Sequence, residues 1–357
     1  MTLNEKEKKN SSGAKATKAS VATEEFTSGL PKAELHLHLE GSITPERLMK
    51  LADKNRVELP YKNEAELLEA YNFVDLQSFL DLYYLGAGAL QTEDDFYAIT
   101  RDYLEVCRAE NIVHTEIGFD PQAHTERGIP FEVFMSGMTQ AIADARAEWG
   151  QSALLLMNFV RHLPVESALA TIDEAEPFGS AIVAVGLDSS ELAFPPEPFA
   201  PAFERARSLG WRTVAHAGEE GPPEYVWGSL NTLKVDRIDH GVRSSEDPKL
   251  LDHLREKQIP LTVCPLSNVR LCVFDTLKEH NILQLLDAGL AVTVNSDDPT
   301  YFGGFLNQNF AAMSRELGMT HAQATRLAHL SFDSSFLSTA QKELFNQRID
   351  DYAQLQD

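Results

Sequence analysis

The stretch AELHLHLEG at residues 33–41 puts two imidazoles, His36 and His38, two positions apart in an apolar run, with Glu40 two further on. In a strand, residues i and i+2 point to the same side, so these three would share one face and Leu35, Leu37 and Leu39 the other. Similar groups recur downstream. "AHAGEEG" carries His216 and, three residues later, Glu219; "RIDHG" carries His240; "VTVNSDDP" carries Asp297 and Asp298. Each has a bland reading by itself. A lone histidine at a strand end is more often a hydrogen-bonded core residue than a ligand, and an Asp-Asp-Pro is more often a helix-capping turn. All of them on one rim are hard to explain structurally, because every buried polar group needs a partner. Neutral imidazoles plus one carboxylate are the natural donor set for zinc. His36, His38, His216 and Asp297 supply three nitrogens and one oxygen, which predicts one Zn2+ per chain. The donors come from separate strand ends and include no cysteine, which favours an open catalytic site over a closed structural one. A water in the open position would have its pKa drawn down toward about 7.

Something must hold these residues on one rim. The segments rich in Val, Ile, Thr and Leu are "AELHLHL", "VHTEIGF" (113–119), "LLLMNFV" (154–160), "IVAVGL" (182–187), "RTVAHA" (212–217), "RIDHG" (237–241), "LTVCPL" (261–266) and "AVTVNS" (291–296). Helix-period segments such as "DPKLLDHLREKQ" and "HNILQLLDAG" lie between them, the second stopping at Gly289. Eight strands alternating with helices predict an α/β fold with a parallel sheet, and eight is the number that closes a (β/α)8 TIM-type barrel. A doubly wound open sheet is the rival. Barrel sites gather at the C-terminal ends of the strands, where the polar residues fall. Some seventy residues separate the first two strands. "TPERLMKLADKN", "DLQSFLDLYYLGAGAL" and "TEDDFYAITRDYLEVCRAEN" read there as helices, and a helical insertion at that point would sit over the barrel mouth as a candidate lid.

The chain has 357 residues, 43% hydrophobic and 24% charged, as a globular protein should be. Its formal net charge of −23 argues against nucleic acid and anionic membranes as partners. Three cysteines without a CxxC pair suit a reducing compartment, no uninterrupted apolar run reaches a membrane-spanning length, and no apolar signal core stands at the start. These features predict a cytoplasmic protein. Residues 1–27 read as a disordered tail and 28–357 as one barrel domain, with order beginning near Leu30.

Taken together, "HLHLEG", "HAGEEG", "RIDHG", "VCPLSN" and "VTVNSDDP" resemble the adenosine and adenine deaminases of the amidohydrolase superfamily, in the same order and spacing from about Pro31 to about Phe336. "CPLSNVRLCVF" and "NSDDPTYFGGF" look more like the adenine-specific branch. The resemblance implies a (β/α)8 barrel with one zinc on His36, His38, His216 and Asp297. It implies that Glu219 shuttles a proton to the ring nitrogen beside the attacked carbon, that His240 orients the attacking oxygen, and that Asp298 hydrogen-bonds the purine at N7. The reaction implied is hydrolysis of adenine to hypoxanthine and ammonia, a purine-salvage step on a small-molecule substrate. The strand-4 segment has no lysine, the usual bridge in two-metal members of the superfamily.

Adenosine is the runner-up substrate, followed by N6-substituted adenines. Another zinc hydrolase acting on a cyclic amide, and a non-catalytic binding protein, are the rivals outside the class. In the adenosine enzymes the position two after the second histidine is commonly aspartate; here it is Glu40, one methylene longer. Glu40 is therefore a candidate to reach the space a ribose would fill and to accept from the ring N–H at N9. Asp120, in "GFDPQ", is a second candidate for that contact, and Ser189, in "GLDSSE", is a further one on the substrate side.

Overall fold

A computed structural model describes residues 20–73 and 76–356. The eight expected segments form strands β1 (Lys32–His38), β2 (Ile112–Phe119), β3 (Ser152–Val160), β4 (Ile182–Asp188), β5 (Arg212–Ala217), β6 (Arg237–His240), β7 (Leu261–Val263) and β8 (Val292–Val294). Every neighbouring pair is parallel and the spatial order is the chain order, β1 through β8. An open doubly wound sheet would reverse its order at a switch point, so that alternative falls. The ring closes just past β8. Leu37 pairs with Asp297, the His38 amide donates to the Asp297 carbonyl at 3.0 Å, and the Asp297 amide donates to the His36 carbonyl at 3.1 Å. The closing contact therefore also docks one predicted metal ligand against two others.

β7 and β8 are shorter than the sequence pattern suggests. In "LTVCPL" the strand stops at Val263 because Pro265 starts a helix, Pro265–Arg270, where a missing N–H and a fixed φ are tolerated. The early strands are buried on both faces, as a parallel sheet flanked by helices requires.

One boundary expectation is corrected. A helix, α1 (Glu24–Gly29), begins inside the segment read as a disordered tail, with Thr23 as its N-cap. Phe26 is buried there, 4.3 Å from the His321 ring, and Val21 pairs with Thr320. Too few apolar residues lie in this segment to signal burial; one phenylalanine wedged against distant helices suffices. Residues 1–19 of the expected tail lie outside the described residues.

The insertion between β1 and β2 holds α2 (Pro45–Asn55), α3 (Glu64–Ala70), α4 (Leu76–Ala87) and α5 (Glu93–Ala109). Thr44 caps α2 with Pro45 at its first position, and Thr92 with Asp95 forms a capping box on α5. Among the described residues no helix is long and apolar enough to cross a membrane.

Candidate active site

β1, β5 and the turn after β8 bring His36, His38, His216 and Asp297 together, all buried, with one donor atom of each inside a 4.8 Å sphere of mutual distances. The His216 Nε2 lies 3.1 Å from the His36 Nε2 and 3.3 Å from the His38 Nε2, and Asp297 Oδ1 is 3.4 Å from both of the latter. Ligands about 2.0–2.1 Å from a tetrahedral zinc stand about 3.3 Å apart, so these spacings match the edges of its coordination shell. The opposite edge of each ring says the same. His36 Nδ1 faces the Thr262 carbonyl at 3.2 Å, His216 Nδ1 faces Asp239 at 3.6 Å and His38 Nδ1 faces Asp188 at 3.6 Å. The carbonyl at His36 and the carboxylates 3.6 Å from His216 and His38, too far for hydrogen bonds, favour a proton on Nδ1 electrostatically, which leaves three Nε2 lone pairs and a carboxylate oxygen converging on one point. Without a cation they would only repel, so the donor set fits a metal. Asp239 serves two ligands at once, approaching His36 Nδ1 at 4.0 Å as well, and is itself held by the Thr262 hydroxyl at 2.6 Å.

Three strand-end residues take left-handed backbone conformations rare for side-chain-bearing residues: Ser189 at φ 72°, His240 at φ 62° and Asp297 at φ 64°. Such strain persists only where the surroundings over-determine it. At Asp297 the two main-chain bonds to β1 supply that constraint, and Ser267 donates to Oδ2 at 2.6 Å.

A small cavity adjoins the ligand cluster, and Glu219, His240, Asp298, Asp120, Asp188 and Ser189 all line it. Glu219 is buried, and its Oε1 has no hydrogen-bond partner. Burial, reinforced by the charge of Asp297, pushes its carboxyl well above the ordinary range, which favours the protonated form of a group that lines the cavity. It does not cap the following helix, which starts at Pro223 behind Pro222. His240 stands 3.5 Å from Glu219 Oε2 and 3.8 Å from Asp297 Oδ2. A relay fixes its tautomer. The Ile282 amide donates to His280 Nδ1 at 3.1 Å, which leaves the proton on Nε2, 3.1 Å from Asn268 Oδ1. That turns the Asn268 amide nitrogen toward His240 Nδ1 at 3.2 Å, and His240 therefore presents Nε2–H to the cavity. Burial, then the neighbouring His36, lowers the His240 pKa to about 3, so the ring is neutral. Asp298 sits where a side chain on Gly41 would collide with its carboxyl, which explains the glycine of "HLHLEG". Burial and the Asp297 charge raise the Asp298 pKa well above the usual range, which favours its protonated form too.

Another wall of the cavity ties Asp120 and Ser189 to the insertion. Tyr83 of α4 donates to Asp120 at 2.9 Å, and Tyr84 bonds the Ser189 hydroxyl at 2.8 Å. Phe79, Leu80 and Tyr83 form the roof, so part of the insertion does cover the mouth. Glu40 is the residue placed differently from expectation. The strand ends at His38 and Glu40 opens a short 3-10 turn, Glu40–Ser42, so the i, i+2 alternation stops before it. Its carboxylate is held by His124 at 2.7 Å and does not line the cavity; it supports Asp120 from behind through the Asp120 amide at 3.4 Å.

Comparison with known proteins bears on the same region. The adenosine deaminase family matches residues 31–352. This chain belongs to that family. An adenine deaminase of Hahella chejuensis is 54% identical over 331 residues, 93% of this chain and 99% of the relative. One of Stutzerimonas stutzeri is 56% identical over 310 residues, 87% of this chain and 98% of the relative. The crystal structure of an adenine deaminase from Arthrobacter aurescens superposes with a TM-score of 0.90 at 45% identity, covering 91% of this chain and all of the other. A zinc-bound amidohydrolase from Burkholderia ambifaria reaches 0.85 at 25% identity, covering 96% of each chain. As a family member the chain is a hydrolytic deaminase of the amidohydrolase type, with a buried cluster of three histidines and an aspartate that could hold a metal.

Sequence reasoning missed several residues of this deaminase's site. Asp239, Ser267 and Asn268 lie inside the motifs "RIDHG" and "VCPLSN" but carry no chemistry that spacing alone could assign. Asp188, neither of whose oxygens has a hydrogen-bond partner although Oδ2 lies 3.6 Å from His38 Nδ1, ends β4 in "GLDSSE". His124 and His280 lie in helical or irregular segments with no local signal.

Proposed function

We propose that this chain hydrolyses adenine to hypoxanthine and ammonia with one zinc ion held by His36, His38, His216 and Asp297. The observation that carries the reading is the buried Glu219 carboxyl, its Oε1 without a hydrogen-bond partner, facing the same cavity as four convergent metal donors. When bound, the zinc supplies an activated water at neutral pH. Glu219 donates to purine N1 as the oxygen adds at C6, so the ring loses aromaticity without building full negative charge. The neutral His240 directs its Nε2–H at the incoming oxygen and stabilises charge developing there. Asp298, whose carboxyl pKa is raised by burial, donates to N7, an acceptor, in its protonated form. Asp120, fixed by the Tyr83 hydroxyl, accepts from the ring N–H that adenine carries at N9 and adenosine lacks. The amine leaves as ammonia after protonation. Relatives at 54% and 56% identity that carry the name adenine deaminase support the choice of base over nucleoside.

Ser189 contributes through Tyr84, closing the wall beside Asp120. Cys107, Cys264 and Cys272 are all unpaired, which supports a reducing, cytoplasmic setting. The test is kcat/KM on adenine, adenosine and N6-methyladenine measured side by side. Adenine should lead adenosine by about 10²-fold or more, since a nucleoside lacks the N–H that the buried Asp120 carboxylate would accept. A ratio at or below unity would assign the enzyme to adenosine.

A further inference from the structure

Glu219 reaches into the cavity from a four-residue turn, 218–221, between β5 and the next helix, and its own side chain makes no close hydrogen bond. What fixes its position is therefore the backbone beneath it. Four successive amides of that turn point at one side chain. Glu191 Oε1 accepts from Gly218 at 2.7 Å, and Oε2 accepts from Glu219 at 3.0 Å, Glu220 at 3.0 Å and Gly221 at 2.8 Å. Glu191 is 0% exposed. A fully buried carboxylate is costly unless its lone pairs are filled, and here backbone dipoles fill them.

The surroundings are shaped to this contact. A Cβ on Gly221 would collide with the Glu191 carboxylate, so the glycine lets the turn close over it. Glu191 is delivered by a loop in which Ser189 and Ala193, two positions to either side, both adopt left-handed backbone at φ 72° and φ 68°. Arg161, just past β3, ties the end of β5 that leads into this turn to the loop that carries Glu191. It donates to the His216 carbonyl at 2.9 Å and to the Phe194 carbonyl at 2.9 Å, and its charge accompanies that of Glu191 into the interior.

We propose that Glu191 is a positioning residue for Glu219. It gathers the amides of residues 218–221 and so sets the height and angle at which the Glu219 carboxyl meets the substrate ring. The inference rests on the assignment of Glu219 as proton donor to adenine. A misplacement of about 1 Å at such a group costs about 10²-fold in rate. Glu191→Gln is nearly isosteric but sets an NH2 against at least one main-chain N–H, which pushes the turn away.

The test compares Glu191→Gln, Glu191→Asp, Glu219→Gln and the double Gln variant, each with zinc content, melting temperature, kcat and KM on adenine. Glu191→Gln should keep its zinc, change KM by less than about threefold and lose about 10²-fold in kcat. Glu191→Asp, which keeps both oxygens on a shorter arm, should recover part of that loss. In the Glu219→Gln background the second change should cost nothing further, because the group being positioned is already gone. Full kcat in Glu191→Gln with only a lower melting temperature would overturn the proposal, as would losses that simply multiply in the double variant. If Glu191→Gln does not fold, Glu191→Asp decides by the same split, and unchanged kcat there overturns it. Wild-type turnover in Glu219→Gln would instead refute the proton-donor assignment, a separate and recognisable failure.

Discussion

Replacing Glu219 by Gln separates chemistry from structure at the centre of the site. The side chain is buried, Oε1 is without a partner and Oε2 comes no closer than 3.5 Å to His240. Little hydrogen bonding is therefore at stake, and Glu219→Gln should change folding stability by less than about 1 kcal/mol. The backbone of residue 219 is held by Glu191 whatever side chain it carries. A glutamine amide can still donate a hydrogen bond to purine N1, so KM should move only a few-fold. It cannot give up the proton. General acid catalysis is worth about 10² to 10⁴ in rate, or about 2.7–5.5 kcal/mol of transition-state stabilisation, and kcat should fall by that much. The assay is adenine consumption followed by absorbance, paired with zinc analysis and a thermal melt. A kcat within threefold of wild type, with normal zinc, would remove Glu219 from the mechanism.

Three further outcomes are expected. Purified protein should hold about one zinc per chain, and Asp297→Ala should lose both the metal and turnover; two equivalents needed for activity would refute the single-metal assignment. Phe79 packs on Phe73, Tyr83, Tyr301 and Phe302 while also lining the cavity, so Phe79→Ala should raise KM and also destabilise by about 3 kcal/mol or more. A melting temperature equal to wild type would show that this roof carries no core packing. His280, whose pKa burial lowers to about 3, binds its proton only on unfolding between there and its ordinary value of 6.5. Its contribution is thus present above 6.5 and is lost as pH falls through that window, by up to about 1.4 kcal/mol per pH unit. His280→Gln should flatten the acid side of the stability profile accordingly, and an unchanged slope would contradict the buried neutral ring.

Chemistry and fold class were legible in the chain because both are written as local periodicity. The alternation in "AELHLHL" puts His36 and His38 on one side of a strand wherever that strand goes, and eight apolar segments separated by helical ones leave few topologies besides a barrel. Strand ends then predict a rim, and His216, His240, Asp297 and Asp298 fall on it. Glu40 shows where local reasoning stops: the alternation lasts only as long as the strand, and nothing in the sequence marks its end at His38. Asp239, Glu191, Asn268 and His280 show the larger limit. Their partners lie far along the chain, Glu191 binding amides 27 to 30 residues away. A carboxylate that caps a distant turn looks in sequence like any surface acid. Only closure of the barrel, with Asp297 docked on β1 by two main-chain bonds, decides which buried polar groups meet. Residue types chose the reaction; the three-dimensional hydrogen-bond partners, which no spacing encodes, chose the proton positions that let it run.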